Sequence, residues 1–212
     1  MSSPERPLRS DAERNRLKLL SCALAAFTEL GIDASVDEIA GRAGVGVGTL
    51  YRRFPTKQAL LDALADEVID HIVELIEKAQ AEPRGSGFEQ YFTSFGSVIA
   101  RFGPALPTLL GGEEPSGRIT REVEPGVRRL MTEAQEAGRL RREVTYADFV
   151  VSLWSLSGAV SSTRDLAPDA WKRPAAILLA GLRPAADGAK LPGSALTRAQ
   201  LDQATALRRV TR

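Results

Sequence analysis

The sequence predicts an all-α fold, and three observations indicate it. Apolar residues recur at spacings of three and four along most of the 212 residues, as they do on the buried face of a helix. Capping-box patterns begin several of these segments, and glycine or proline ends them. No segment combines sustained alternation of apolar and polar residues with hairpin turns, which a sheet would require.

Caps and breaks predict four helices before residue 81. Capping boxes at residues 10–13 and 35–38 begin the first two helices, and Gly31 and Gly44 end them. Pro55 ends a short third helix, because proline disfavours the helical conformation of the residue before it. The expected helices therefore span about 10–30, 35–43, 47–54 and 56–80.

Further helices follow the break at residues 82–87. The first carries an apolar, mostly aromatic stripe at spacings of four, three, four and three from Phe88 to Phe102, and residues 111–117 are expected to be an exposed loop. Pro125 fits the first turn of the next helix. Two more helices are expected at about 145–162 and 170–182, and a linker at about 185–193 precedes a terminal helix at about 198–210.

The composition narrows the possible classes of function. Hydrophobic residues make up 43% and charged residues 26% of the chain, which is typical of a globular protein. With a single cysteine, Cys22, and a single histidine, the usual catalytic and metal-binding clusters are scarcely available, so we expect no enzyme, cofactor or metal. No apolar run approaches the roughly 20 residues that span a bilayer, and we expect a cytoplasmic protein without a membrane partner.

Basic charge is concentrated in one short segment. The residues between Glu38 and Asp62 include no acid, and their basic members are Arg42, Arg52, Arg53 and Lys57. The residues that follow, 62–80, are strongly acidic. A local basic field attracts polyanions, although four bases alone can also form a merely solvated face.

Two short helices joined by a glycine turn, the second of them basic, match a helix-turn-helix, whose second helix enters the major groove of DNA. The residues that sharpen this interpretation are Ser35-Val36-Asp37-Glu38-Ile39-Ala40, Ala43-Gly44-Val45-Gly46-Val47-Gly48-Thr49-Leu50-Tyr51-Arg52-Arg53-Phe54-Pro55-Thr56-Lys57 and Ala59-Leu60-Leu61. They resemble the DNA-binding signature of the tetracycline-repressor (TetR) family over about residues 11–64.

The resemblance implies a three-helix head, joined by a long helix to an all-helical ligand-binding and dimerisation body. The expected organisation is a flexible N-terminus at 1–10, a DNA-binding domain at 11–55, a regulatory and dimerisation domain at 56–184, and a linker with a short basic helix at 185–212. The implied partners are double-stranded operator DNA, a second copy of the chain and an unknown small molecule. The implied function is repression of transcription; the alternative is a regulator that activates or has no small-molecule effector.

The predicted DNA contacts combine hydroxyls, cationic groups and backbone. Thr49 and Tyr51 offer hydroxyls and Lys57 an ammonium group to phosphate oxygens, whereas an arginine reaches either a phosphate or a guanine edge. Gly48 either lets the DNA backbone approach closely or is a packing glycine. The full predicted set is Ser35, Arg42, Val47, Gly48, Thr49, Tyr51, Arg52, Arg53 and Lys57.

Three residues depart from the family pattern. Gly46 stands where a serine often caps the recognition helix, so no side chain of this residue can cap the helix N-terminus. Val47 occupies a position that is frequently polar, and any base contact there is expected to be with a thymine methyl group. Arg53 replaces a common histidine and adds positive charge.

The body is expected to dimerise and to hold the effector. Residues near 144–162 and 170–182 would form a four-helix bundle with a partner's copies, because small residues such as Ser155 and Gly158 allow close approach; an internal helix pair is the alternative. The candidates for lining a pocket for an apolar or amphipathic ligand, each of which could instead be a core residue, are His71, Phe88, Tyr91, Phe92, Phe95, Phe102 and Trp154.

The arginines of the terminal helix admit two interpretations. They outnumber its single acid, Asp202, so an auxiliary DNA contact is conceivable. We favour docking of this helix against the acidic surface of residues 62–80, or disorder, because free termini are commonly mobile and exposed arginines are commonly solvated.

Overall fold

The computed structural model describes residues 5–31, 33–111 and 113–210. The regular elements among these residues are all helical, as the sequence predicts. They form two compact units, one extending to Glu67 and one beginning at Val68. No helix of the described chain combines the length and the apolar character needed to cross a membrane.

The first unit is built from three helices and the start of a fourth. Its elements are α1 (Glu5–Leu30), α2 (Val36–Ala43), α3 (Val47–Arg53) and the beginning of α4 (Lys57–Gln80). Phe27 of α1 and Ile39 of α2 are fully buried, and Leu50 of α3 is 1% exposed. Each helix therefore contributes one apolar face to a small common core.

Helix α1 begins earlier than its capping pattern predicts. The helix starts at Glu5 instead of near Ser10, so residues 5–10 are helical rather than part of a flexible terminus. Pro7 is compatible with this start because the first N–H groups of a helix have no partner within it. The predicted flexibility of residues 1–4 lies outside the described residues.

The second unit continues α4 and adds a series of short and long helices. These are α5 (Gly87–Phe102), a 3₁₀ turn (Gly103–Ala105), α6 (Leu106–Leu109), α7 (Glu113–Arg118), a π turn (Ile119–Val123), α8 (Glu124–Glu136), α9 (Tyr146–Thr163), α10 (Lys172–Leu182) and α11 (Arg198–Val210). The exposed loop predicted at residues 111–117 is wrong from Glu113 onward, because Pro115 falls in the first turn of α7, where proline is tolerated.

Capping boxes set two helix starts of this unit as predicted. The Thr145 hydroxyl accepts a hydrogen bond from the Asp148 N–H at 3.3 Å, and the Asp148 carboxylate accepts the Thr145 N–H at 2.8 Å. The amide oxygen of Gln200 likewise accepts the Thr197 N–H at 2.9 Å. Helix α11 consequently has the predicted bounds.

The core of the second unit is an aromatic cluster between α5 and α9. The ring of Phe149 lies 6.0 Å from that of Phe88 and 6.3 Å from that of Phe92. Nearby, a Cβ on Gly96 would overlap Cζ3 of Trp171. Glycine is therefore required at position 96 for Trp171 to pack against α5.

Candidate functional site

The first helix of the candidate nucleic-acid interface, α2, has a capping box at its N-terminus. The Ser35 hydroxyl accepts the Glu38 N–H at 3.2 Å, and Glu38 Oε2 accepts the Ser35 N–H at 2.8 Å and its O–H at 2.9 Å. These hydrogen bonds lower the pKa of Glu38, first through the backbone of Ser35 and then through its side chain. The hydroxyl of Ser35, a predicted DNA contact, thus caps α2.

Two glycines form the turn between α2 and α3. Gly44 ends α2 in the left-handed conformation, with φ of 68°, and the Val45 N–H donates to the Ala40 carbonyl at 3.1 Å. Gly46 begins α3 without a side-chain cap, and its carbonyl accepts the Thr49 N–H at 2.8 Å. A left-handed residue at this position favours glycine, so the sharp turn between the two helices follows from the sequence.

Helix α3 has one buried and one exposed face. Leu50 and Phe54 are 1% and 5% exposed and pack into the core of the first unit. The exposed face carries Tyr51, Arg52 and Arg53, and the Arg52 guanidinium donates to the Thr49 hydroxyl at 3.3 Å. This face is cationic and bears hydroxyls, which suits phosphate oxygens and base edges.

Gly48 lies on the exposed side of α3. A Cβ on this residue would have no described atom within 4 Å, and its φ is not positive. Neither packing within the described chain nor backbone conformation therefore requires glycine here. Of the two interpretations of Gly48, close approach of an external backbone is the one that this geometry favours.

Two cations of the predicted set also have partners within the first unit. Arg42 donates to Glu29 of α1 at 2.7 Å, and the Lys57 ammonium lies 5.8 Å from the centre of the Phe27 ring. Both contacts connect α1 to neighbouring helices. The sequence alone does not reveal these contacts, because the partners are distant along the chain.

A cavity of about 240 Å³ lies in the second unit. Residues of α4, α5, α6, α7, the π turn, α8, α9 and α11 line it, and most of the lining is apolar. Of the predicted ligand-contacting residues, Phe95 and Trp154 belong to the lining, as does Tyr91. A mostly apolar cavity with a few polar groups is typical of small-molecule sites.

Four of the predicted pocket residues are not among the lining residues. Phe88, Phe92 and Phe102 are buried in the core, and the imidazole of His71 is 41% exposed, with Nδ1 3.9 Å from Glu74. The reason is helical geometry, because adjacent residues are about 100° apart around a helix axis. The cavity-lining residues of α5 are four apart: Tyr91, Phe95 and Ile99.

The polar part of the cavity is not predicted from the sequence. This part comprises Glu124 of α8, Tyr146 of α9 and three charged residues of α11, namely Arg198, Asp202 and Arg208. Arg198 donates to both carboxylate oxygens of Glu124, and the Arg208 guanidinium lies 4.9 Å from the centre of the Trp154 ring. The predicted docking of α11 thus involves α8 and α9, whereas the charge pattern of the sequence favoured the acidic surface of α4. Capping signals predict a helix but not the surface that it covers.

Burial raises the pKa of both cavity tyrosines. The pKa of Tyr91 is raised well above its usual value, first by desolvation and then by the nearby Tyr146. That of Tyr146 is raised to about 12, by desolvation and by Glu124. Both hydroxyls are therefore protonated at neutral pH, and each is a potential hydrogen-bond donor.

Known proteins resemble this chain over both its units. Residues 19–64 match the family model described as bacterial regulatory proteins, tetR family. The tetracycline repressor protein class D of Escherichia coli is 31% identical over 166 residues, which are 78% of this chain and 73% of that protein.

Two further proteins show how far the similarity reaches. An HTH-type transcriptional regulator of Staphylococcus aureus is 40% identical over 85 residues, 39% of this chain and 44% of that regulator, so this match spans less than half of the relative. The crystal structure of a TetR transcriptional regulator from Streptomyces coelicolor has a TM-score of 0.59 and 29% identity, and covers 81% of this chain and 99% of that one. The chain belongs to the TetR family of bacterial regulatory proteins.

Proposed function

We propose that the chain is a repressor of transcription that binds a pseudo-palindromic DNA operator as a homodimer. A small apolar or amphipathic molecule in the cavity of the second unit releases it from the DNA. The observation that carries this proposal is the exposed cationic face of α3, which follows a glycine turn in a segment without acidic residues. Because the target is bacterial DNA, we expect the protein to act in the cytoplasm.

The exposed face of α3 supports reading of the major groove. Tyr51 and the half-buried Thr49 offer hydroxyls to phosphates, which fix the orientation of the helix on the duplex. Arg52 is the candidate for a bidentate contact to guanine, which discriminates between bases by about 1–3 kcal/mol. Val47 begins the helix and would contact a thymine methyl group.

An exposed face of α9 and α10 supports dimerisation. Val151, Ser155, Gly158 and Ser162 follow each other at spacings of four, three and four, and all four are exposed. On α10, Ile177 is 63% exposed. Small and apolar residues on two neighbouring helices suit a two-fold bundle with a second copy. Two heads would then reach half-sites about 34–36 Å apart, or a multiple of that distance.

The path of α4 supports control by a ligand. This helix begins at Lys57, shortly after α3 ends, and its residue Ile72 lines the cavity. A ligand that shifts α4 would change the separation of the two heads in a dimer. A 100-fold loss of operator affinity requires about 2.7 kcal/mol of coupling, which is within the usual range for allosteric proteins. The similarity to a tetracycline repressor supports repression as the sign of regulation.

The test is selection of bound sequences from a random DNA pool, followed by a reporter gene placed under the selected site. We expect a symmetric motif with two half-sites and lower reporter expression when the protein is present. Recovery of sequences without symmetry would refute the operator model. Raised expression would refute repression while leaving DNA binding in place.

A further inference from the structure

One hydroxyl of the cavity wall has no hydrogen-bond partner within the described part of the chain. Tyr91 is 1% exposed, and its hydroxyl makes no hydrogen bond with any of the described residues. Its ring is held between Phe95 and Phe149, at centroid distances of 5.8 and 6.0 Å. Buried polar groups are satisfied in the great majority of cases, so this donor calls for an acceptor from outside the chain.

The side chains around Tyr91 determine the size and polarity of the ligand that would carry this acceptor. Ile99 of α5, Leu153 and Trp154 of α9 and Leu201 of α11 provide apolar surface. The cavity of about 240 Å³ is larger than a cavity of about 150 Å³ that binds benzene. In proportion, it holds about ten non-hydrogen atoms.

The charges of the cavity wall cancel, and three of the four charged residues form ion pairs with each other. Glu124 and Asp202 are acidic, and Arg198 and Arg208 are basic. Arg198 is already bonded to Glu124 at 2.8 Å and to Asp202 at 3.0 Å. An anionic ligand would have to compete with Glu124 for this arginine, and a cationic ligand would have to compete with Arg198 for the carboxylates.

We propose that the cavity binds an uncharged, mainly apolar molecule of about ten non-hydrogen atoms, whose oxygen accepts a hydrogen bond from the Tyr91 hydroxyl. This assignment rests on the proposed role of the cavity as the effector site and specifies the chemistry of the effector. The Tyr91 hydroxyl is protonated at physiological pH and can therefore donate this hydrogen bond.

Three probe molecules of similar size separate the contributions of the hydrogen bond, of apolar contact and of charge to ligand affinity. Propiophenone carries a carbonyl oxygen, 2-phenylbut-1-ene replaces that oxygen by a methylene group, and 3-phenylpropanoate is an anion. Their dissociation constants are measured by calorimetry and by quenching of tryptophan fluorescence, since Trp154 lines the cavity and the chain has two tryptophans. The unmodified chain is compared with Tyr91→Phe, and Tyr51→Phe, which lies in the first unit and outside the cavity lining, is the matched control for ligand binding.

The methylene group of the alkene leaves water more readily than the ketone oxygen does, so the hydrogen bond is measured as a change of the affinity ratio between variants. We expect the ratio of the alkene's dissociation constant to the ketone's to be about fivefold higher in the wild type than in Tyr91→Phe, the value of one neutral hydrogen bond. Tyr51→Phe should keep the wild-type ratio, and the anion should bind at least about tenfold more weakly than the ketone. The same ratio in the wild type and in Tyr91→Phe, tighter binding of the anion, or no binding of any probe at millimolar concentration overturns the assignment.

Operator binding distinguishes this assignment from the proposed function. If propiophenone binds through Tyr91 and operator affinity does not change, the effector role of the cavity fails and the ligand chemistry stands. If the ketone releases operator equally from the wild type and from Tyr91→Phe, the effector role stands and the assignment to Tyr91 is overturned.

Discussion

Arg198 of α11 donates two hydrogen bonds from Nη1 to the two carboxylate oxygens of Glu124 in α8, at 2.8 and 2.9 Å. The Glu124 side chain is 10% exposed and is also paired with Arg128 at 2.7 Å. A nearly buried carboxylate needs such partners, because its desolvation is costly. The contact with Glu124 therefore attaches the terminal helix to the rest of the second unit and replaces solvent around this carboxylate.

Deletion of residues 186–212 is expected to lower the melting temperature and to leave the salt dependence of operator binding unchanged. The deletion removes Arg198 from Glu124 and removes Leu201, which is 6% exposed. If the tail bound phosphates, its removal would change the slope of log K against log salt by about 0.9 for each phosphate. An altered slope would show that the tail contacts DNA. The smaller change Arg198→Ala is expected to lower the melting temperature less than the deletion does, because Arg128 still pairs with Glu124 at 2.7 Å.

Gly48→Ala is expected to weaken DNA binding without lowering the stability of the protein. Alanine stabilises a helix by up to about 1 kcal/mol relative to glycine, and the added methyl group meets no described atom within 4 Å. The melting temperature should therefore hold or rise, while operator affinity falls by about tenfold or more, equivalent to about 1.4 kcal/mol. Thermal melting and fluorescence anisotropy measure the two effects. Gly41→Ala on α2, outside the predicted contact set, is the control; unchanged operator affinity of Gly48→Ala would restore the packing interpretation.

Tyr91→Phe is expected to stabilise the ligand-free protein. An unsatisfied buried hydroxyl costs about 1–3 kcal/mol, and phenylalanine keeps the ring without that group. A gain of about 1 kcal/mol raises the melting temperature of a chain of this size by about 2–4 °C. Tyr51→Phe, whose tyrosine is 45% exposed, should leave the melting temperature unchanged. A lower melting temperature for Tyr91→Phe would mean that the hydroxyl has a partner.

Ile177→Glu is expected to convert a dimer into a monomer. A carboxylate on the apolar face of α10 would have to be desolvated in the bundle, which is strongly unfavourable without a partner. Light scattering should give twice the mass of the chain for the wild type and a single chain for the variant. Leu166→Glu is the matched control, because Leu166 is 89% exposed and lies between α9 and α10. A wild-type monomer, or a dimeric Ile177→Glu, would contradict the proposed interface.

Local interactions explain why much of this structure is predictable from the sequence. The capping boxes at Ser35, Thr145 and Thr197 involve residues three apart, and Gly44 adopts the conformation that glycine favours. Packing partners are not local. The contact of Arg198 with Glu124 joins residues 74 apart, and no periodicity indicates which surface a terminal helix covers.

In the candidate site, too, features set by local sequence are predictable and features set by packing between distant segments are not. The exposed face of α3 is predicted because Leu50 and Phe54 are apolar and their neighbours are polar. The cavity is only partly predicted, because its lining depends on which side of α5 faces α9 and α11. Phe95 therefore lines the cavity and stays a predicted ligand contact, whereas Phe88 and Phe92 pack against Phe149 on another side of the helix.

Recognition of DNA by two heads is tested by comparing binding to the selected symmetric site with binding to a copy in which one half is scrambled. We expect scrambling to weaken binding by the wild type at least about 100-fold, since each mismatched base pair costs about 1–3 kcal/mol. Arg52→Ala should lose about 1–3 kcal/mol on the intact site, whereas Arg84→Ala, at an exposed position of the second unit, should bind as the wild type does. Equal affinity of the wild type for the intact and the scrambled site would contradict sequence-specific recognition by two heads.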